Sequence, residues 1–424
     1  MTTGPSPALP RPWRALVVWG VALTAYVIAV TGRTSLGVAG PQAMDRFSMG
    51  AGTLATFSVV QLSVYAAAQI PAGVILDRIG SRIMIASGAL LMGTGQLLLA
   101  VSDSLPLALT ARVLIGLGDA ATLVSVLRLL PFWFRPRIVP MITQLSGIIG
   151  QLGQIISAVP FLALLLAVGW VPAFSSLAAA GLVVALLVLS LVRDLPPDGP
   201  ARPVAGRHGS VLSGLRLVAR EPGTWLGFFT HFVTLFPGNM LLLLWGVPFF
   251  TEGHGISVPH AGALLTITAV CTILIGPVLG DLVGRYPARR TRLVVLTVLA
   301  TVVVWVAILL PSTPRPFWQL TGLAVVSAAG LAACTIGFDF ARTSVPSTHL
   351  GRATGLVNMG GYLASVLAIL LVGLVLDLSQ PSGEYTLADF RLAFALGLTP
   401  LFVVGVGGLA LARRAVLRAE VVPG

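Results

Sequence analysis

Arg33, Arg112, Asp119 and His231 stand inside long apolar runs. A charge surrounded by hydrocarbon is costly unless it meets a partner or lines a polar cavity, so chemistry is to be sought at these positions first. The planar guanidinium of Arg33 suits a carboxylate or another oxyanion. Its place about 19 residues into the first run also fits an arginine snorkelling to the far interface. Arg112 and Asp119 are seven residues apart, on one helix face and about 10 Å apart in height. Asp119 can be statically paired or can take up a proton. His231 titrates near neutrality in principle, and otherwise packs as a satisfied core histidine. Amides and phenols that could line a cavity with these groups are Gln61, Tyr65, Gln144, Gln151, Gln154, Asn239, Asn358 and Tyr362. Each of them alone can equally serve helix–helix hydrogen bonding.

A second kind of chemistry is written in the hairpin Gly73-Val-Ile-Leu-Asp77-Arg78-Ile-Gly80-Ser-Arg82. Gly80 permits a tight turn, and Arg78 and Arg82 anchor at a membrane interface. Asp77 can pair with those arginines or face the positive N-terminus of a neighbouring helix. An ion pair made in only one arrangement of a protein biases a two-state equilibrium and acts as a conformational latch. The alternative is a short positive loop. An echo, Gly280-Asp281-Leu-Val-Gly284-Arg285, returns 204 positions later, which implies a duplicated unit with the period of a half-chain.

Other chemistries are excluded by residue type. All 26 basic residues are arginine, so neither a phosphate-binding G-x-x-x-x-G-K-[ST] loop nor a lysine Schiff base exists. No H-E-x-x-H occurs, and Cys271 and Cys334 offer no metal spacing or disulfide framework. No nucleophile–base constellation is visible, so neither an enzyme nor a bound cofactor or metal is expected. Gly-x-Gly-x-x-Ala strings at Gly50, Gly116 and Gly405 follow no soluble strand and read as turn or close-packing glycines.

The elements that must position these residues are membrane helices. The chain is 56% hydrophobic and 9% charged, with mean hydropathy +0.96, far from a soluble composition. Its apolar runs are long enough to cross a ~30 Å hydrocarbon layer as helices and lack the alternation of barrel strands. Twelve are read, at 14–36, 52–76, 83–102, 105–131, 138–166, 171–192, 223–250, 260–283, 293–311, 317–341, 353–377 and 390–412. The expected fold is all-α and polytopic, in two pseudo-symmetric six-helix bundles, 14–192 and 223–412. Around them lie an N-tail 1–13, a linker 193–222 with a short amphipathic helix near Val211–Arg220, and a C-tail 413–424. Twenty arginines fall on one side of this topology, three (Arg46, Arg315, Arg391) on the other, and three within spans. By the positive-inside rule both termini are expected in the cytosol. The net charge of +12 therefore reads as orientation and contact with lipid headgroups, not as a nucleic-acid footprint. The first span has no cleavage site and reads as a retained helix. The lysine-free composition suggests a bacterial inner membrane.

The hairpin resembles the signature loop between spans 2 and 3 of the major facilitator superfamily. Gly73, Asp77, Arg78, Gly80 and Arg82 match in the first copy, and Asp281, Gly284 and Arg285 in the second, where Tyr286 replaces the last arginine. Arg112-Val-Leu-Ile-Gly116-Leu-Gly118 is similar to that family's fourth-helix pattern, and Gly169-Trp170 with Ala173-Phe174 fits its sixth helix. The resemblance implies a monomeric secondary transporter whose halves rock about a central site, here a chamber lined by Arg33. Tyr26 followed by Arg33-Thr-Ser-Leu-Gly resembles the organic-anion and organophosphate branches, which implies that Arg33 contacts an anionic substrate. Span 7 carries Pro237-Gly-Asn239 and no second arginine, which argues against a phosphate ester and for a singly charged anion. Arg112 resembles an arginine implicated in structure and proton coupling, and Asp119 and His231 are the candidate proton carriers. Arg128, Asp339 and Arg342 are expected at the cytosolic end, as anchor and gate. The competing readings are a proton-coupled drug antiporter and a non-transporting membrane sensor. Span 5 lacks the G-P-x-x-G-G pattern of the antiporters, because Pro160 comes too late.

Overall fold

The computed structural model describes residues 12–49, 51–197, 211–380 and 385–421. Most of the expected N-tail, Gly50, the middle of the linker and the end of the C-tail lie outside the described residues. Among those described, twelve helices are long and apolar enough to cross a membrane. They are spans 1 to 12: Pro12–Val38, Val59–Ile79, Ser81–Val101, Leu105–Trp133, Val139–Val168, Trp170–Leu191, Pro222–Gly253, Val258–Arg285, Pro287–Leu309, Phe317–Ser344, Ser347–Ser379 and Leu387–Ala419. Each expected span lies on one of them. The linker helix is Val211–Arg220, over the expected residues, because its apolar positions recur at helical spacing between arginines.

Interruptions of the spans have local causes. Span 5 passes through a π-helical turn, Ser157–Phe161, which contains Pro160; a proline supplies no N–H and breaks the regular ladder. Span 7 holds Pro237 and Pro248 and has π-helical turns at Leu241–Trp245 and Phe249–Gly253. Span 10 breaks at Cys334–Thr335, between Phe317–Ala333 and Ile336–Ser344, with neither proline nor glycine at the break.

The chain forms two compact units. One gathers the described residues up to Leu215 together with Pro346–Gly355; the other holds Arg216–Val345 and the chain from Leu356 onward. In the first unit, spans 3 and 4 approach through glycine: a side chain at Gly88 would strike the Gly118 carbonyl, and one at Gly118 the Gly88 carbonyl and Met92. Gly116 lies equally close to the Gln61 carbonyl of span 2. The glycine string at 116–121 is thus a close-packing device, as read from the sequence. Two of the three span-5 glycines do the same for span 1: Gly150 faces the Tyr26 ring and Gly153 the Val27 carbonyl, while Gly147 has open space.

The second unit relies on aromatic packing. Phe249 meets Phe394 edge-on at 4.7 Å and lies 6.1 Å from Trp305, an arrangement aromatic rings favour. Arg391 donates to the carbonyls of Leu309 and Leu310 at 2.7 and 2.8 Å, satisfying the last turn of span 9. Span 12 opens with a capping box: Asp389 accepts from the Thr386 backbone N–H at 2.9 Å, and Thr386 Oγ1 accepts from the Asp389 N–H at 3.4 Å.

Candidate functional site

The first unit brings together the intramembrane charges of its bundle. Arg33 pairs with Asp119: Nε is 2.8 Å from Oδ2 as an ion-pair contact, and Nη2 donates a hydrogen bond to Oδ1 at 3.1 Å. The pair is thus charge-assisted, with one aligned hydrogen bond. The Arg33 side chain keeps 21% of its surface exposed while that of Asp119 has none. Beneath the guanidinium lies the Tyr65 ring, 5.1 Å from Cζ to centroid, a cation–π contact. Arg112 is buried and donates from Nη2 to the Arg33 carbonyl at 3.1 Å. Its Nε and Nη1 have no hydrogen-bond partner among the described residues. Asp119 is therefore engaged across helices by Arg33, while Arg112 holds the backbone that carries Arg33. Gln61 and Tyr65 are buried on the same stretch of span 2, one turn apart. Gln144 is buried, whereas Gln151 and Gln154 are exposed and bonded to each other.

The hairpin of the first copy forms a second cluster in this unit. Asp77 is buried and accepts from the backbone N–H groups of Gly351 and Arg352 at 2.7 and 3.1 Å, and from Arg352 Nη1 at 2.8 Å. It faces a helix N-terminus, one of the two partners open to it on chemical grounds. Arg128 Nε lies 3.8 Å away, close enough to assist but too far for a hydrogen bond. Gly73 is needed for another reason: a side chain there would collide with the Gly351 carbonyl. Gly80 has φ +85°, which favours glycine. Asp194 occupies the space beside it and accepts from the Ser81 and Arg82 N–H groups at 2.5 and 3.2 Å. Arg78 and Arg82 are exposed, Arg82 reaching the Leu189 carbonyl.

The second copy does not repeat this arrangement. Asp281 and Arg285 form an exposed i,i+4 pair at 2.7 Å, and Gly284 is half-buried. The buried network of the second unit is instead at Asp339, which accepts from Arg290 Nη1 at 2.8 Å and from Arg342. In that unit His231 is buried, with Nδ1 3.0 Å from the Cys334 carbonyl, and Asn358 is buried as well. Asn239 and Tyr362 are half-buried, on the same two spans as His231 and Asn358.

Arg352, Asp194 and Arg290 were not singled out by motif. Arg352 and Arg290 sit at helix starts, where arginine counts only as an orientation signal, and Asp194 is one of two acids, with Asp198, in the stretch after span 6.

Twelve apolar helices, a duplicated glycine–acid–arginine hairpin and a buried ion pair define a polytopic membrane transporter. The chain belongs to the Major Facilitator Superfamily, whose sequence profile matches residues 22–369 and 246–420. A probable sulfoacetate transporter of Cupriavidus necator is 24% identical over 419 residues, covering 93% of this chain and 92% of its own. Human monocarboxylate transporter 11 is 30% identical over 408 residues, covering 91% of this chain and 82% of its own. Among solved structures, the Escherichia coli fucose:proton symporter superposes with a TM-score of 0.70 at 17% identity, covering 93% of this chain and 99% of that one; this likeness concerns the fold. The protein is thus an integral membrane transporter of the major facilitator fold.

Proposed function

We propose that this protein carries a small organic anion across the membrane by alternating access, as a monomer coupled to protons. Arg33 is the anion contact, Asp119 the proton carrier, and the bundles 14–192 and 223–412 the moving bodies. The observation that carries this reading is the Arg33–Asp119 ion pair. A buried carboxylate and an incoming anion compete for one guanidinium. Protonating Asp119 removes its charge and releases Arg33; anion binding in turn leaves Asp119 without its counter-charge and favours its protonation. Substrate and proton are then bound together, and each raises the affinity for the other by the same factor. Two relatives whose names specify anions, sulfoacetate and monocarboxylate, support the class. A single forking arginine is sufficient for one anionic group. Gln61, Tyr65, Asn239, Asn358 and Tyr362 are proposed to bind the rest of the substrate. The arginine bias supports cytosolic termini in a bacterial inner membrane.

The test is thermal stabilisation of the purified protein by monocarboxylates, sulfonates and lipophilic cations at two pH values. A ligand at 100 times its Kd stabilises by about 2.7 kcal/mol. Anions are expected to stabilise, more strongly at the lower pH, and Arg33→Gln to abolish the effect. Stabilisation by cations alone, lost in Asp119→Asn, would overturn this reading in favour of a drug antiporter.

A further inference from the structure

Two consecutive carbonyls of span 1 are held from neighbouring spans. That of Arg33 takes Arg112, and that of Gly32 takes Gln96 of span 3, whose Nε2 donates at 3.0 Å. A carbonyl only accepts, so the Gln96 amide must present its NH2 there. Gly32 makes room for it: a side chain at Gly32 would stand 2.8 Å from Nε2. Ser35 Oγ donates to the same carbonyl at 2.9 Å. Ser35 lies on span 1 itself, however, so Gln96 supplies the tie to another helix.

Span 3 is itself fixed. A side chain at Gly95 would strike Ile115 and the Ala111 carbonyl of span 4, and one at Gly93 would come within 3.1 Å of the Ala178 carbonyl of span 6. Span 4 carries Asp119, so Gln96 refers the backbone of Arg33 to the same packed block as its partner carboxylate. The amide is nevertheless a poor occupant of its place. Gln96 is 2% exposed, and its Oε1 has no hydrogen-bond partner among the described residues. The small cavity that it lines is otherwise apolar, with Ala25, Ala29 and Met92. An unsatisfied buried acceptor destabilises, and a leucine would suit these surroundings better. Departures of this kind from packing logic gather at functional sites.

We propose that Gln96 is a positioning residue for Arg33, which holds the backbone of the anion contact in register while weakening the fold; this rests on Arg33 being the anion contact. In the resting form the Arg33–Asp119 pair itself anchors span 1. When an anion takes the guanidinium that anchor is released, and the bonds from Gln96 and Arg112 remain to keep span 1 in place. Gln96 therefore contributes more to the anion-bound form than to the free one, which is the condition for a remote bond to raise affinity. It acts through Arg33 and does not touch the anion.

Gln96→Leu and Gly32→Ala test this, with Arg33→Gln alongside. They are read by melting temperature and by uptake of labelled lactate or ethanesulfonate, whichever the parent carries. Gln96→Leu is expected to melt no lower than the parent, because the unsatisfied acceptor is gone and the Gly32 carbonyl keeps Ser35. It is expected to raise KM about fivefold, the worth of one neutral hydrogen bond, with Vmax within about twofold. Gly32→Ala displaces the amide from the other side and is expected to raise KM by a similar factor. Both changes together are expected to raise it no further than either alone, since they break one bond. Gln96→Leu is decisive even if Gly32→Ala does not fold. A lower melting temperature with unchanged KM in Gln96→Leu would make the amide a packing group and overturn the proposal, while Arg33 keeps its role. KM increases that multiply in the double variant would place the effect outside this bond and overturn it as well. Uptake that survives Arg33→Gln with the parental KM would instead remove the anion contact itself, and with it anything for Gln96 to position.

Discussion

At the scale of the residue, two charges on different helices satisfy one another and leave one partner partly open. The ion pair between Arg33 and Asp119 leaves the Asp119 side chain with no exposure and that of Arg33 with some, so under the proposed function an anion would meet the arginine first. Breaking such a pair from one side strands a buried charge, which typically costs about 3–5 kcal/mol, whereas removing both charges costs far less. Arg33→Gln and Asp119→Asn are therefore expected to lower the melting temperature singly and much less together, as differential scanning fluorimetry of the double variant will show. Arg33→Lys is not conservative here, because an ammonium lacks the planar donor edge of a guanidinium; substrate affinity is expected to fall about tenfold, the worth of one charge-assisted bond. The sequence exposed these residues, since charges inside apolar runs stand out. It could not choose between Arg112 and Arg33 as partner for Asp119: spacing along span 4 favoured the former, and only tertiary packing brings in the latter.

The elements show where local pattern suffices and where it does not. Twelve spans and the linker helix were legible because apolar length and periodicity are local properties. The partner of Asp77 was not, because Gly351 and Arg352 lie more than 270 residues downstream. The hairpin announced a carboxylate that must be satisfied without saying by what. The break in span 10 was also silent, since Cys334 and Thr335 carry no helix-breaking signal. Two outcomes belong at this scale. Gly73→Val must push apart two helix backbones at the Gly351 carbonyl; a loss of about 1–3 kcal/mol, as for other overpacked contacts, is expected in chemical denaturation. His254, beyond span 7, accepts from the Arg315 N–H at 3.1 Å. Burial first, and then Arg315, push it from 6.5 down to about 4. With its folded value depressed, its neutral form stabilises the fold fully above 6.5, and that contribution fades as pH falls toward 4. The melting temperature of the unaltered protein should thus drop across this window more than that of His254→Gln.

For the whole molecule, duplication explains both the likeness of the halves and their divergence. In the first copy of the hairpin the buried Asp77 accepts from the start of span 11, while in the second Asp281 has become part of an exposed ion pair. Family membership was readable from these copies because glycine, acid and arginine at fixed spacing are rare between apolar spans. Substrate identity was not readable, because it depends on which amides and phenols converge once the helices pack. We propose that the Asp77 contacts bias alternating access: Asp77→Asn should then leave anion affinity within about twofold while slowing turnover about tenfold or more, a split visible in uptake kinetics. The most direct measurement of coupling is accumulation of a labelled organic anion by proteoliposomes under an imposed proton gradient, compared with exchange at equal pH, in the parent protein and in Asp119→Asn. The mechanism predicts gradient-driven accumulation in the parent, and in Asp119→Asn exchange without accumulation. Accumulation in Asp119→Asn that still follows the proton gradient would contradict it.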